Sequence, residues 1–237
     1  MIKQAIKSVL HRFGVDVIRY QEPIPELYRP FSILNLLIDQ RAANGDPCFF
    51  VQVGANDGIM ADPLRPLILK HRMAGLLIEP LPDLFEQLKT NYATQPQLKF
   101  ENVAISSEPA TVAMYRVRAG VPALNTGLAS FNREHLVNCK IPDEYIEIVH
   151  VPSVTLPSLL KKHSIEKVNL LQIDTEGYDF EIIKSAFNSG IYPDIINYEH
   201  RHIGRANKYH CKKMLDDFGY QFIEASFEDT IALRIRS

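Results

Sequence analysis

From about residue 46 to the end, short unbroken apolar runs alternate with longer segments in which apolar positions recur every three or four residues. A strand buried on both faces has no polar side and reads as continuous hydrophobics, whereas a helix on the surface shows a stripe. The first pattern predicts strands at Cys48–Val53, Gly75–Glu79, Leu98–Ile105, Val168–Asp174 and Ile195–Glu199. The second predicts helices at Asp83–Tyr92, where Leu84, Leu88 and Tyr92 make one stripe, at Leu156–His163, at Asp179–Phe187 and from about Ala206 to Asp217. A further helix after the first strand has its start disturbed by Pro63 and Pro66. Alternation of this kind makes βαβ units and a mostly parallel sheet with right-handed crossovers. Only four residues separate the final strands, Gln221–Ala225 and Thr230–Ile235, so those two must form an antiparallel hairpin.

Two stretches stand outside the alternation. Thr111–Val117 and Ile146–Val154 read as extended, and residues 118–145 between them carry Gly, Pro and Asn without a clean period. An irregular insertion in an α/β fold commonly shapes a substrate pocket, and Thr126, Ser130 and Asn132 are its polar candidates. At the other end, Ile2, Ile6, Val9, Leu10 and Phe13 fall at helical spacing opposite Lys3, Lys7, His11 and Arg12, up to Gly14. Such a basic amphipathic helix packs on its own domain or on a second subunit, or else makes a membrane-surface contact. A proline-punctuated linker, residues 21–30, leads to a second amphipathic helix at Phe31–Ala43. The division expected is an N-terminal helical extension, 1–45, followed by a catalytic domain, 46–237.

Composition narrows the class. A chain of 237 residues with 46% hydrophobic and 23% charged residues suits one α/β domain with an extension. A formal charge of −2 supplies no field to recruit DNA or RNA. Cys48, Cys139 and Cys211 share no close spacing, which argues against a disulfide framework and a zinc site, and fits a cytoplasmic protein. No run approaches the about eighteen apolar residues of a membrane span.

The candidate chemistry gathers at strand ends, where open parallel sheets hold their ligands. The run FFVQVGANDG, Phe49–Gly58, ends in a glycine-bracketed polar turn, and Glu79 follows at the tip of the next strand, about twenty residues on, where a ribose would find an acceptor. A dinucleotide fold requires G-x-G-x-x-G. Counting from Gly54, the second and third glycine positions hold Asn56 and Ile59, which disfavours a pyrophosphate and an NAD-dependent oxidoreductase. A ribose-bearing cofactor with a zwitterionic amino-acid end suits the turn better, since Asp57 could accept from an ammonium group; S-adenosylmethionine is such a molecule. Asp174 and Glu176 end one strand, Glu199 and His200 the next, and each could serve as base for a hydroxyl acceptor. Asp174, Glu176 and Glu199 could also hold a divalent cation, although their spacing compels none and no metal is predicted. Arg201 and Arg205 offer Glu199 and His200 a purely structural ion-pair network, and His202 reads as a solvated loop residue.

Taken in order, FVQVGANDG at 50–58, LLIEPLPDLFEQLKTNY at 76–92, ENVAIS at 101–106, VTLPSLL at 154–160, LLQIDTEGYDFEII at 170–183 and INYEH at 196–200 resemble the FkbM family of S-adenosylmethionine-dependent methyltransferases. The resemblance implies a Rossmann-like class I methyltransferase fold, with a mostly parallel seven-stranded sheet closing in an antiparallel hairpin. It implies that Gly54, Ala55, Asn56 and Gly58 line the cofactor, that Glu79 holds its ribose, that Asn102 lies by the adenine and that Asp174 faces the methionine end. The chemistry implied is O-methylation of a sugar, a glycan precursor or another hydroxylated small molecule. Gln52 departs from the pattern, because many members carry an acid there. The other function class open to this sequence is a catalytically inactive cofactor-binding module that works as an assembly or membrane-surface partner.

Overall fold

A computed structural model of the chain describes residues 32–121 and 127–235. The basic helix expected at 2–13, the linker at 21–30 and Thr126 lie outside the described residues. Helix α1 (Ile33–Ala43) starts at Ser32, whose side chain accepts from the Asn35 N–H at 3.2 Å, and it buries Leu34 and Ile38.

Seven strands form the central sheet: β1 (Phe50–Val53), β2 (Gly75–Ile78), β3 (Leu98–Glu101), β8 (Leu170–Ile173), β9 (Ile195–Glu199), β10 (Tyr220–Glu224) and β11 (Asp229–Arg234). Their spatial order is β10-β11-β9-β8-β1-β2-β3. The five strands from β9 to β3 run parallel, and β11 pairs antiparallel with both β9 and β10. This is the Rossmann-like class I methyltransferase arrangement, in which order reverses between β1 and β8 and so opens a crevice there. Helices α2 (Arg65–His71), α3 (Pro82–Asn91), α5 (Leu156–Lys162), α6 (Asp179–Asn188) and α7 (Arg205–Asp217) connect or flank these strands. Prolines at the first turns of α2, α3 and α5 are tolerated because no helical N–H is lost there.

Strand alternation divides the core between the faces of the sheet. Val51, Val53, Leu76, Ile78, Leu171, Ile173, Ile196 and Tyr198 join one cluster with α5, α6 and α7 residues such as Leu159, Ile183 and Leu215. Phe50, Leu77, Leu170 and Ile195 join the other, with Leu34, Ile38, Leu67 and Leu88. Three amides interrupt the second face. Gln52, Gln172 and Asn197 sit side by side on β1, β8 and β9, buried, and Asn197 Nδ2 donates to Gln172 Oε1 at 2.7 Å.

A second, four-stranded sheet of order β4-β7-β5-β6 is built from β4 (Ala104–Ile105), β5 (Ala110–Val117), β6 (Ala129–Ser130) and β7 (Ile146–Val154). Two expectations change here. Leu98–Ile105 is not one strand: the chain leaves the central sheet after Glu101 and enters the second at Ala104. Asn102 marks the break, its Nδ2 donating to the carbonyls of Glu79 and Pro80 at 2.8 and 3.0 Å. The described residues between 118 and 145 are also more ordered than their composition suggests. They contribute β6, helix α4 (Arg133–Asn138) and a 3₁₀ turn at Asp143–Tyr145, packed around Val117, Leu128, Leu136 and Ile141.

Candidate functional site

The carboxyl ends of β1, β2, β8 and β9 open onto a cleft of about 520 Å³, lined in part by Gly127, Leu128, Ala129 and Phe131 at and beside β6 of the second sheet. That volume is typical of a small-molecule or cofactor site.

One wall is the turn after β1. The Gly54 and Ala55 N–H groups both donate to Ile78 O at 3.0 Å, and those of Asn56, Asp57 and Gly58 donate to Glu79 Oε2, Asn56 Oδ1 and Ala55 O at 2.9, 2.7 and 3.0 Å. The Ile59 and Met60 N–H groups share Asp57 Oδ1 at 2.8 and 2.7 Å. Every N–H from Gly54 to Met60 is therefore engaged within the protein. A phosphate-binding turn needs such groups free, so this one is shaped for a ligand without a pyrophosphate. Gly54 has φ +81°, and a Cβ there would lie 1.8 Å from Asp174 O. Its lack of a side chain is what lets the ends of β1 and β8 meet.

Glu79 anchors the base of this wall. It is buried, and its second oxygen, Oε1, accepts from the Leu81 N–H at 2.9 Å, so the one carboxyl fastens the turns after β1 and β2 together. Burial pushes its pKa up to about 7, against the pull of the Leu81 and Asn56 N–H donors. Each carboxylate oxygen keeps a further lone pair, and the residue lines the cleft. Beside it, Gln52 Nε2 donates to Asp62 Oδ1 at 3.1 Å and Tyr92 Oη to Asp62 Oδ2 at 3.1 Å. Gln52 thus serves Asp62 as a donor, which an acid at position 52 could not do without repelling it. Gln52 Oε1 is buried in the cleft wall with no partner among the described residues.

The opposite wall is acidic. Asp174 and Glu176 follow β8, Glu199 ends β9, and all three line the cleft with His202. His202 Nδ1 lies 2.7 Å from Glu199 Oε1 and 3.1 Å from Glu176 Oε2, and His135 Nε2 of α4 lies 2.8 Å from that same Glu176 oxygen. The two imidazoles meet edge to face, with centroids 4.4 Å apart. Cys139 Sγ stands 3.7 Å from His135 Nε2. Burial first, then the charge of Glu176, pushes the Glu199 pKa up to about 9. Asp174 is raised by the protein around it and next by Asp179, although its side chain stays open to the cleft. Burial lowers His202 against the opposing pull of Glu176. Beneath them, fully buried Asp179 accepts from Thr175 Oγ1 at 2.7 Å and from the Glu199 N–H at 3.1 Å, which fixes both strand ends.

The structure redistributes the expected residues. Gly54, Ala55, Asn56, Glu79, Asp174, Glu176 and Glu199 share the cleft. Asp57 gives Oδ1 to its own turn, Gly58 packs beneath Tyr92 and Leu88, and Asn102 holds the Glu79 and Pro80 carbonyls; none of the three lines the cleft. His200 also faces elsewhere. Successive residues at a strand end project to opposite sides, so with Glu199 in the cleft His200 is buried against β11, its Nδ1 2.8 Å from Thr230 Oγ1. The imidazole that reaches the cleft is that of His202, expected in solvent and only one-fifth exposed. Ser130 and Asn132 serve the local backbone: Ser130 Oγ donates to Glu176 O at 2.9 Å and Asn132 caps α4. Sequence reasoning missed His135 and Cys139. Their four-residue separation, one helical turn, was the available signal.

Among the described residues no helix is long and apolar enough to cross a membrane. Solved structures of similar fold include the METTL16 MTase domain, 12% identical over 99% of this chain and 80% of that one with a TM-score of 0.48. A putative caffeoyl-CoA O-methyltransferase from Staphylococcus aureus is 8% identical over 98% and 91%, with a TM-score of 0.48. The citrinin polyketide synthase CMeT domain is 15% identical over 85% and 53%, with a TM-score of 0.43. No curated protein matches the sequence. The model of the methyltransferase FkbM domain matches residues 52–222, and the chain belongs to that methyltransferase family.

Proposed function

We propose that the protein transfers a methyl group from S-adenosylmethionine to a hydroxyl of a sugar, a glycan precursor or another hydroxylated small molecule. Family membership implies the cofactor. The observation that carries its placement is one cleft holding Glu79 at the tip of β2, Asp174 at the tip of β8, and between them a turn with no N–H to spare for phosphate. The donor set fits. Glu79 keeps lone pairs for ribose hydroxyls, Gln52 Oε1 offers a buried acceptor, and Val103 and Ala104 give apolar surface for a base. S-adenosylmethionine supplies an electrophilic methyl group on a cationic sulfur, together with an ammonium. An acidic wall whose carboxyls are raised by burial and then by one another's charge is an environment that such a cation relieves. Asp174, open to the cleft, is placed to hold the ammonium.

The acceptor hydroxyl gives up a proton as it is methylated, and Glu176, Glu199 and His202 are the groups positioned beside it. Oxygen as the acceptor atom, and a carbohydrate as its carrier, are supported by the family resemblance and by this cluster. Selection of the acceptor falls in this reading to Gly127, Leu128, Ala129 and Phe131, which line the cleft.

Calorimetry with S-adenosylmethionine and with NAD tests the reading first. Binding of the sulfonium compound alone is expected, and binding of NAD alone would overturn it. Incubation with a labelled methyl donor and a panel of sugars should then yield a product heavier by one methyl group, located on oxygen by NMR. A methyl group found on nitrogen or carbon would overturn the O-directed part.

A further inference from the structure

We propose that Glu176, Glu199 and His202 form a binding site for one divalent first-row transition ion, zinc being the fitting case. Its open coordination position faces the cleft, where the acceptor hydroxyl binds. The inference rests on the methyltransferase reading for the identity of that last ligand and on geometry for the rest.

The three donor atoms, one from Glu176 after β8 and two from Glu199 and His202 three residues apart at the end of β9, lie within 4.8 Å of one another. Two further observations distinguish them from a structural ion-pair network. Glu199 is more than nine-tenths buried, yet its Oε2 has no partner among the described residues. His202 Nδ1 is also buried and makes no properly directed hydrogen bond, despite lying 2.7 Å from Glu199 Oε1. Close approach without alignment is what lone pairs do when they converge on a common centre rather than on each other. A closed network would be completed by Lys or Arg, but among the described residues neither Glu176 nor Glu199 is ion-paired with one; neighbouring Arg201 pairs with Glu228.

The donors also select the ion. Mg²⁺ and Ca²⁺ take all-oxygen shells, whereas a carboxylate–carboxylate–imidazole set suits Zn²⁺ and its neighbours, which in catalytic sites keep three protein ligands and one position for water or substrate. His135, 2.8 Å from Glu176 Oε2, is the positioning residue: a ring N–H directed at that oxygen holds the carboxylate in place, as outer-shell partners of metal ligands do.

Protein stripped with a chelator and titrated with zinc chloride in a calorimeter should bind one equivalent. His202→Ala and Glu199→Gln should each weaken that binding more than about 100-fold, and His135→Ala about 10- to 100-fold. Wild-type protein that binds no zinc, binds magnesium more tightly, or shares its zinc affinity with all three variants overturns the site. Because a variant could fail to fold, zinc-edge X-ray absorption on the wild type provides a separate measure. It should show nitrogen and oxygen at about 2.0–2.1 Å without sulfur, and a sulfur ligand would move the site to Cys139 and overturn the assignment. Titration of the same samples with S-adenosylmethionine keeps the two readings apart. Cofactor binding without zinc binding sinks only the metal site; zinc binding without cofactor binding leaves the metal site and sinks the methyltransferase reading.

Discussion

The two walls of the cleft are built on opposite principles. Along the turn after β1 every N–H has an acceptor, Glu79 uses both oxygens, and Asp57 gives Oδ1 to the backbone. Across the cleft, Glu199 Oε2 and His202 Nδ1 are buried with no directed partner, and the carboxyls beside them are pushed toward neutrality. A saturated backbone turn holds shape; unpartnered atoms, Glu199 Oε2 and His202 Nδ1 here and Gln52 Oε1 beside the turn, keep free energy for a ligand, because buried polar atoms without partners are costly. On the proposed function, rigidity belongs to the cofactor side and reactivity to the acceptor side.

The largest effect should come from breaking the rigid wall at its tightest contact. Gly54→Ala combines a left-handed backbone with a Cβ 1.8 Å from Asp174 O, and should cost about 4 kcal/mol or more in urea unfolding. Next is Glu79→Ala, which strands the Asn56 and Leu81 N–H groups. At pH 8, where the carboxyl is ionised, two charge-assisted hydrogen bonds amount to about 3 kcal/mol or more, and calorimetry should show S-adenosylmethionine affinity lost with them. If cofactor affinity survives that variant, the turn is not held as described.

On the unsaturated wall the probe is pH. Glu199 has a folded pKa of about 9 against an ordinary 4.5, so between those values the folded state binds more protons than the unfolded one and stability falls as pH rises. Thermal unfolding from pH 5 to 9 should show that decline, and Glu199→Gln should flatten it; an equally steep decline in the variant would remove Glu199 as its source. The smallest effect belongs to His200→Ala. Losing the Thr230 contact should cost about 1 kcal/mol with turnover unchanged, and slowed turnover would return His200 to the cleft.

The strands that build the crevice were legible because each is buried on both faces and reads as an unbroken apolar run, as FVQV, LLQI and IINYE do. The second sheet was legible only as extended segments, Thr111–Val117 and Ile146–Val154, and not in its pairing. The long pairing of β5 with β7 depends on a partner about thirty residues away, and half-exposed strands lack the apolar signature that marks the core. The acidic end of the site was legible in residue type and not in direction. From INYEHRH alone, which of Glu199, His200 and His202 faces the cleft depends on where the strand stops and the loop begins, and a shift of one residue exchanges the sides. His135 was invisible for a different reason: it reaches Glu176 across 41 residues of sequence from a helix with no clean period.

A Cβ on Gly127 would lie 2.2 Å from Asn56 Nδ2, so this segment touches the Asn56 side chain, and a side chain at 127 would have to displace that amide. If residues 128–131 select the acceptor as proposed, they can vary without moving Asn56, whereas a side chain at position 127 would reshape the turn side of the cleft as well.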